Sequence, residues 1–134
     1  MSDILKGFKR NASFPHEAFV QLAIQSHFNS SGYQRIDAPH SDYACVHPAN
    51  GDQWVIEAKG ETSAIGLDFR TGLGQLVQRA TTPNIRYAMA VPNIPQFISQ
   101  CKQVSTWVRV SIGIYWLIVS EDSSVITVPP QDKL

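Results

Sequence analysis

The chain has 134 residues, of which 43% are hydrophobic and 16% are charged, and its eleven acidic and eleven basic side chains give a formal net charge of zero. This length and composition predict one globular domain over residues 1–134, with its core at about 13–128, and exclude an intrinsically disordered chain. The balanced charge argues against a protein that coats nucleic acid non-specifically, although it leaves room for a local basic patch.

The apolar residues and the cysteines bear on the cellular compartment. No apolar run reaches the length of a membrane span, and the first ten residues lack the apolar segment of a secretory signal. Cys45 and Cys101 stand in apolar patterns, and neither belongs to a C-x-x-C pair. We therefore expect a cytoplasmic protein without membrane contact, in which both cysteines are reduced.

The first half of the chain predicts one long helix followed by three strands. We expect residues 1–12 to be loosely structured, with Ile4–Phe8 as a candidate short helix. The long helix begins at Ser13 or Phe14, and the turn at Asn29–Gly32 ends it. Short turns then join three strands into an antiparallel meander: Tyr33–Ala38, Asp42–His47 and Asp52–Lys59.

The second half of the chain alternates helices with strands. The pattern predicts a helix over Leu67–Thr81, a strand over Ile85–Val91, a helix over Phe97–Val108, and two closing strands, Ile112–Ser120 and Ser124–Val128. A helix between the third and fourth strands acts as a crossover, which makes that pair of strands parallel. The fold class is therefore α/β, with a central mixed sheet flanked by helices.

The segment Trp54–Gly60 carries the clearest chemical signal. Glu57 and Lys59 are two residues apart on a predicted strand, so their side chains point to the same face. Trp54, Ile56 and Ala58 face the other way. Two charges at the end of an apolar strand are poorly suited to a core, but they are well placed for a functional site.

Asp42, at the start of the preceding strand, would bring a second carboxylate close to Glu57. Mg²⁺ accepts one or two carboxylates and keeps several waters, and it can activate a water against a phosphodiester. The carbonyl of Ala58 is a further candidate ligand. Lys59 could hold or deprotonate the attacking water, or balance charge on the phosphate. Glu17, in the first turn of the first helix, could bind a second cation.

These residues resemble the motif of the PD-(D/E)XK nuclease superfamily. Asp42 is followed, after fourteen residues, by Glu57-Ala58-Lys59, and the predicted order αβββαβ is that of the restriction-endonuclease-like core. The resemblance covers residues 13–91. It implies that Asp42 and Glu57 bind Mg²⁺ or Mn²⁺, and that Lys59 is the catalytic base or charge stabiliser.

The same resemblance assigns supporting roles to Glu17 on the first helix and Gln75 on the second. One departure is that the position before Asp42, a proline in the family motif, is Ser41 here, with Pro39 two positions earlier.

Simpler interpretations of these residues remain open at this point. Glu57 and Lys59 could form an exposed ion pair that protects an edge strand from pairing. Glu17 could simply favour the start of its helix through the helix dipole. Gln75 and Arg79 could belong to a solvated helix face, or could contact a phosphate or a water.

The sequence therefore predicts a Mg²⁺-dependent endodeoxyribonuclease, of the resolvase, repair or restriction type. Its partner would be nucleic acid, with DNA preferred over RNA, and cutting both strands would favour a homodimer. The alternative is a catalytically inactive module that keeps the nuclease-like fold for binding or assembly. A rise in melting temperature with Mg²⁺ or Mn²⁺ would distinguish the two, because only a metal-binding site produces it.

Overall fold

The computed structural model describes residues 12–134, and within them four helices cover the two faces of a six-stranded sheet. The helices are α1 (Glu17–Ser30), α2 (Ile65–Arg79), α3 (Pro95–Lys102) and α4 (Thr106–Ile112). The strands are β1 (Gln34–Arg35), β2 (Tyr43–Val46), β3 (Gln53–Ala58), β4 (Arg86–Pro92), β5 (Ile114–Val119) and β6 (Val125–Val128).

The strands lie in the sheet in the order in which they occur along the chain. The pairs β1–β2, β2–β3 and β5–β6 are antiparallel, whereas β3–β4 and β4–β5 are parallel. Helix α2 forms the crossover between β3 and β4, while α3 and α4 connect β4 to β5. The expected mixed sheet, the meander and the order αβββαβ are thus confirmed.

Each face of the sheet has its own apolar core. On one face, Val20, Ile24 and Phe28 of α1 pack against side chains that include Trp54 and Ile56 of β3. On the other face, α2 and α3 cover buried side chains of β4 and β5, such as Met89 and Trp116. Because side chains alternate along a strand, Val55 and Glu57 of β3 point towards α2.

The third predicted helix is wrong in its length. The pattern of Phe97–Val108 is split into α3 and α4, and Ser105 caps the second of these by accepting a hydrogen bond from the backbone N–H of Val108 at 3.2 Å. An N-terminal cap of this kind satisfies a helix N–H that would otherwise lack a partner. Helix α4 ends at Ile112, and Gly113, which adopts φ +83°, caps it and allows β5 to begin at Ile114 rather than Ile112.

Other boundaries shift by a few residues. Helix α1 begins at Glu17, and β1 is only two residues long instead of the six expected over Tyr33–Ala38. The candidate short helix Ile4–Phe8 lies outside the described residues. Cys45 and Cys101 are buried and unpaired, as expected for reduced core cysteines. None of the helices within residues 12–134 combines the length and apolar character needed to cross a membrane.

The end of β3 lies directly against the start of α1. Gly60 is buried, and a Cβ atom at this position would overlap the backbone of His16 and Glu17. The backbone N–H of Glu61 donates a hydrogen bond to the carbonyl of Pro15 at 2.9 Å. Only glycine permits this approach, which holds the first turn of α1 beside the last residues of β3.

We expect Gly60→Ala to lower the free energy of unfolding by more than about 2 kcal/mol, because the added methyl meets backbone rather than a flexible side chain. Urea unfolding measures this. Ser63→Ala, an exposed change in the same loop, should stay within about 0.5 kcal/mol of the parent protein. Equal stability of both variants would contradict the close packing of this loop on α1.

Candidate active site

Asp42 and Glu57 lie close together at the ends of two neighbouring strands. In the antiparallel register, the last pair is Tyr43 with Ile56; Asp42 immediately precedes Tyr43, and Glu57 follows Ile56. Asp42 acts on the carboxyl group of Glu57 through its charge and a hydrogen bond, so the two carboxyl groups are near each other. Tyr43 and Ile56 point into the core beneath α1. The two carboxylates therefore lie on the opposite face, on the same side of the sheet as α2.

Hydrogen bonds to the backbone of β3 fix the position of Asp42. Its Oδ2 atom accepts a hydrogen bond from the N–H of Ala58 at 2.8 Å. Its own backbone N–H donates to the carbonyl of Ile56 at 3.2 Å. Asp42 is thereby tied to the segment that carries Glu57, although fourteen residues lie between them in the sequence.

Glu57 is a buried carboxylate with two basic neighbours. Only 5% of the residue is exposed. Its Oε1 atom accepts a hydrogen bond from Nη1 of Arg79 at 2.7 Å, and its Oε2 atom lies 3.6 Å from Nζ of Lys59. Lys59 comes from the same strand end and Arg79 from the last turn of α2. A buried charge requires such partners, because the protein interior solvates it poorly.

Gly72 makes the space in which Lys59 lies against α2. A Cβ atom on Gly72 would stand 2.6 Å from Cε of Lys59, 3.0 Å from Cε of Met89 and 3.5 Å from Cγ of Glu57. Gly74, in contrast, has nothing within 4 Å of such an atom. Glycine in a helix costs about 1 kcal/mol relative to alanine. At position 72, glycine leaves the space that the Lys59 side chain occupies, which explains why this cost is accepted.

The environment of Glu57 favours its protonated form. Burial, followed by the charge and hydrogen bonding of Asp42, raises the pKa of Glu57 from 4.5 to about 7, despite the opposing effects of Lys59 and Arg79. Two carboxyl groups this close disfavour double ionisation. A cation bound beside Glu57 would favour its ionised form and so offset part of the cost of burial.

Glu17 and Asp68 form a second acidic pair at the margin of this site. Burial by the surrounding protein raises the pKa of Glu17, and Asp42 and Asp68 add to that increase while Lys59 opposes it. The Glu17 side chain still reaches solvent and accepts a hydrogen bond from Nε2 of Gln21 at 3.2 Å. Asp68, in the first turn of α2, accepts a hydrogen bond from the hydroxyl of Thr62.

The structure gathers most of the predicted site residues into one corner of the sheet. Asp42, Glu57, Ala58 and Lys59 are in contact with one another or are chain neighbours, and Glu17 lies within electrostatic reach. Gln75 is half-buried on α2, one turn before Arg79, and within the described part of the chain its side chain makes no hydrogen bond.

One simpler interpretation of the sequence is wrong. Glu57 and Lys59 do not protect an edge strand, because β3 lies between β2 and β4 in the interior of the sheet. Arg79 also does not belong to a merely solvated helix face, since its guanidinium binds Glu57.

Sequence reasoning missed Asp68, and it left the partner of Arg79 open. A helical period would have helped, because Asp68, Gln75 and Arg79 are spaced by seven and four residues and thus share one side of α2.

The carboxylates of Asp42 and Glu57 suit a divalent cation that needs only one or two protein ligands. Across residues 12–134, no three His, Cys, Asp or Glu side chains are grouped tightly enough to form a metal site by themselves. Asp42 and Glu57 nevertheless offer two carboxylates on one face, and the raised pKa of Glu57 indicates a local need for positive charge. This donor set suits Mg²⁺, which takes one or two carboxylates and fills its other positions with water or phosphate.

Proteins of known structure resemble this chain in fold. An XisH family protein from Nostoc punctiforme aligns with 81% of this chain and 98% of its own, with a TM-score of 0.58 and 18% identity. An FdxN element excision controlling factor protein from Anabaena variabilis aligns with 80% of this chain and 95% of its own, also with a TM-score of 0.58 and 18% identity. No protein-family model and no curated protein matches the chain. At this level of identity, the likeness concerns the fold alone.

We expect Glu57→Gln to stabilise the protein at about pH 8 by on the order of 1–3 kcal/mol. Between pH 4.5 and about 7, the folded protein binds more protons at Glu57 than the unfolded chain does, so the free energy of unfolding falls as the pH rises. Glutamine removes this penalty. Urea unfolding should therefore show a gap between variant and parent that is full above about pH 7 and closes towards about pH 4.5.

The exposed acid Glu61 supplies the control for this measurement. Glu61→Gln should leave the free energy of unfolding nearly unchanged across the same pH range, since Glu61 is exposed. If Glu57→Gln were less stable than the parent protein at both ends of the range, Glu57 would be a net stabilising ion-pair member and not a carboxylate that lacks sufficient positive charge.

Alanine at the two helical glycines of α2 should have different effects. Gly74→Ala is expected to raise the free energy of unfolding by about 0.5–1 kcal/mol, because alanine is the better helix former and the space is open. Gly72→Ala should show little or none of this gain, because Lys59 must leave its place beside Glu57. Equal stabilisation in urea unfolding would mean that Lys59 is not held against the helix.

Proposed function

We propose that this protein is a Mg²⁺- or Mn²⁺-dependent endonuclease that hydrolyses phosphodiester bonds in DNA. The observation that carries the proposal is the pair of carboxylates, Asp42 and Glu57, which lie close together at the ends of β2 and β3 with Lys59 alongside. The order αβββαβ, on which the resemblance to the PD-(D/E)XK superfamily rests, supports it.

Each of these side chains has a role that its position supports. Asp42 and Glu57 would hold the cation, with the carbonyl of Ala58 as a further ligand. A bound divalent cation neutralises phosphate charge and activates water. Lys59 would orient the attacking water and stabilise the negative charge that develops on the phosphate, since its ammonium group lies beside Glu57 and remains partly exposed.

The supporting residues lie around this centre. Glu17 would strengthen the attraction for a cation, because its charge is felt at Asp42 and Lys59. Gln75 would contact the substrate with its amide, which has no partner of its own among the described residues and stands on the same side of α2 as Arg79.

DNA is the preferred substrate over RNA. The Anabaena variabilis protein with a similar fold is named as an element excision controlling factor, and excision of an element is an event on DNA. Side-by-side cleavage assays with DNA and RNA would distinguish the two substrates. Because one centre per chain cuts one strand, a homodimer would allow both strands to be cut.

A second candidate function is a binding or assembly module without catalysis. The contact between Arg79 and Glu57 favours it, because a guanidinium already supplies positive charge to the buried carboxylate. The zero net charge of the chain agrees with this alternative, since a DNA-binding surface is expected to be basic. Under this reading, Mg²⁺ or Mn²⁺ would leave the melting temperature unchanged.

Cleavage assays with single substitutions test the nuclease directly. With Mg²⁺ or Mn²⁺, the parent protein should cut at least one of supercoiled, linear, branched or single-stranded DNA. Asp42→Ala, Glu57→Ala and Lys59→Ala should each reduce the rate by about 100-fold or more, because each removes a cation ligand or the group that stabilises phosphate charge. Thermal unfolding of Glu57→Ala and Lys59→Ala should remain close to that of the parent protein or above it, whereas Asp42→Ala also loses the hydrogen bond to the N–H of Ala58.

Two exposed charges serve as matched controls for these variants. Glu61→Ala removes an acid near the end of β3, and Lys102→Ala removes an amine from α3, and both should retain full cleavage. The proposal fails if the parent protein cuts none of these DNA substrates and no RNA. It also fails if the controls lose as much activity as the three site variants.

A further inference from the structure

Arg79 holds one of the two Glu57 oxygens that could otherwise bind a divalent cation. Nη1 of Arg79 lies 2.7 Å from Oε1 of Glu57, whereas Nζ of Lys59 lies 3.6 Å from the other oxygen. The shorter contact is a charge-assisted hydrogen bond, which is among the stronger polar contacts in proteins. A cation coordinated by Glu57 would also lie next to the positive guanidinium. Arg79 therefore competes with the cation for Glu57, and its positive charge also repels the cation.

Arg79 is the basic partner that is better able to move. Its side chain is 25% exposed, and it projects from the last turn of α2, so rotation about its side-chain bonds leads directly to solvent. Lys59 is confined by contrast, because its Cε atom lies in the gap left by Gly72 against α2. Glu57 itself is buried and fixed within β3, so the mobile member of the cluster is the arginine.

The guanidinium also has unused capacity for a phosphate. Arginine carries five N–H donors in a planar fork that matches phosphate oxygens, and a single N–H of Arg79 is engaged with Glu57. Once released, this group would lie at the entrance to the site, beside Gln75 on the same side of α2. A phosphate that approaches the two carboxylates would therefore pass within its reach.

We propose that Arg79 is a positioning residue that exchanges partners: it holds Glu57 until a divalent cation binds, and the released guanidinium then binds a phosphate of the substrate. This inference rests on the proposed function, because it assumes that Asp42 and Glu57 take the cation. The exchange keeps the buried carboxylate paired with positive charge throughout, which avoids the cost of an uncompensated buried charge. It also couples cation binding to substrate binding.

A purely structural ion pair would behave differently. If Arg79 only stabilised the fold, its loss would weaken the site or leave cation binding unchanged. Under the exchange, its loss removes a competitor, so cation binding becomes tighter while substrate binding becomes weaker. These opposite directions in one variant distinguish the two roles.

The first measurement is Mn²⁺ binding by calorimetry to the full chain, without nucleic acid. Arg79→Met keeps the aliphatic length and removes the charge, and we expect it to bind Mn²⁺ about tenfold or more tightly than the parent protein. Arg79→Lys keeps the charge without the planar fork and should fall between the two. Circular dichroism checks that each variant is folded.

Arg70 provides the matched control, since it is an exposed arginine on another side of the same helix, near Gly66. Arg70→Met removes an equal charge from α2 but does not touch Glu57, so its Mn²⁺ affinity should remain within about twofold of the parent protein. Asp42→Asn reports on the proposed cation site itself and should abolish Mn²⁺ binding.

The second measurement is binding of a short DNA duplex in Ca²⁺, over a range of salt concentrations. Arg79→Met should weaken this binding by about threefold to tenfold and reduce the slope against salt by about one, as expected for one lost phosphate contact. The inference is upheld when the same variant gains Mn²⁺ affinity and loses DNA affinity.

Two outcomes overturn the inference, and they can be told apart. If the parent protein binds Mn²⁺ through Asp42 but Arg79→Met binds it no more tightly, Arg79 is a fixed structural partner and the proposed function still stands. If the parent protein binds no Mn²⁺, both the inference and the proposed function fail.

Discussion

The candidate site depends on one buried carboxylate whose ionised form is disfavoured by burial and by a neighbouring acid. Glu57 lies at the end of an interior strand, close to Asp42, and the two basic groups beside it do not restore an ordinary pKa. A carboxylate in this position weakens the fold at neutral pH. Proteins tolerate such unfavourable positions mainly where a function requires them. A cation shared by Asp42 and Glu57 would turn this cost into binding affinity.

The strand order and two glycines bring the other side chains of the site close to Glu57. The meander brings Asp42 close to Glu57, and the parallel pairing of β3 with β4 places β3 in the interior of the sheet. Gly60 lets the first turn of α1 approach, which carries Glu17 within electrostatic reach of the site. Gly72 opens a gap in α2 for Lys59. Both glycines make room for close contacts at this corner of the sheet, and Gly72 also borders the core residue Met89.

Much of this arrangement could be predicted from alternation and order. A period of two fixed Glu57 and Lys59 on one face, and short turns implied the meander that brings Asp42 near them. The contact between Arg79 and Glu57 could not be predicted, because it depends on how α2 is rotated against the sheet. The division of α3 from α4 was missed because apolar spacing continues through Ser105, whose capping hydrogen bond ends the helical pattern locally. Strand pairing alone also could not give the burial of Glu57.

A crystal of the protein soaked in Mn²⁺ would show whether one divalent cation binds between Asp42 and Glu57. We expect an anomalous peak at coordination distance from oxygens of both carboxylates, with the Arg79 guanidinium turned away from Glu57. A well-ordered crystal with no peak at this place, or with Mn²⁺ bound only elsewhere and Arg79 still on Glu57, would contradict this expectation.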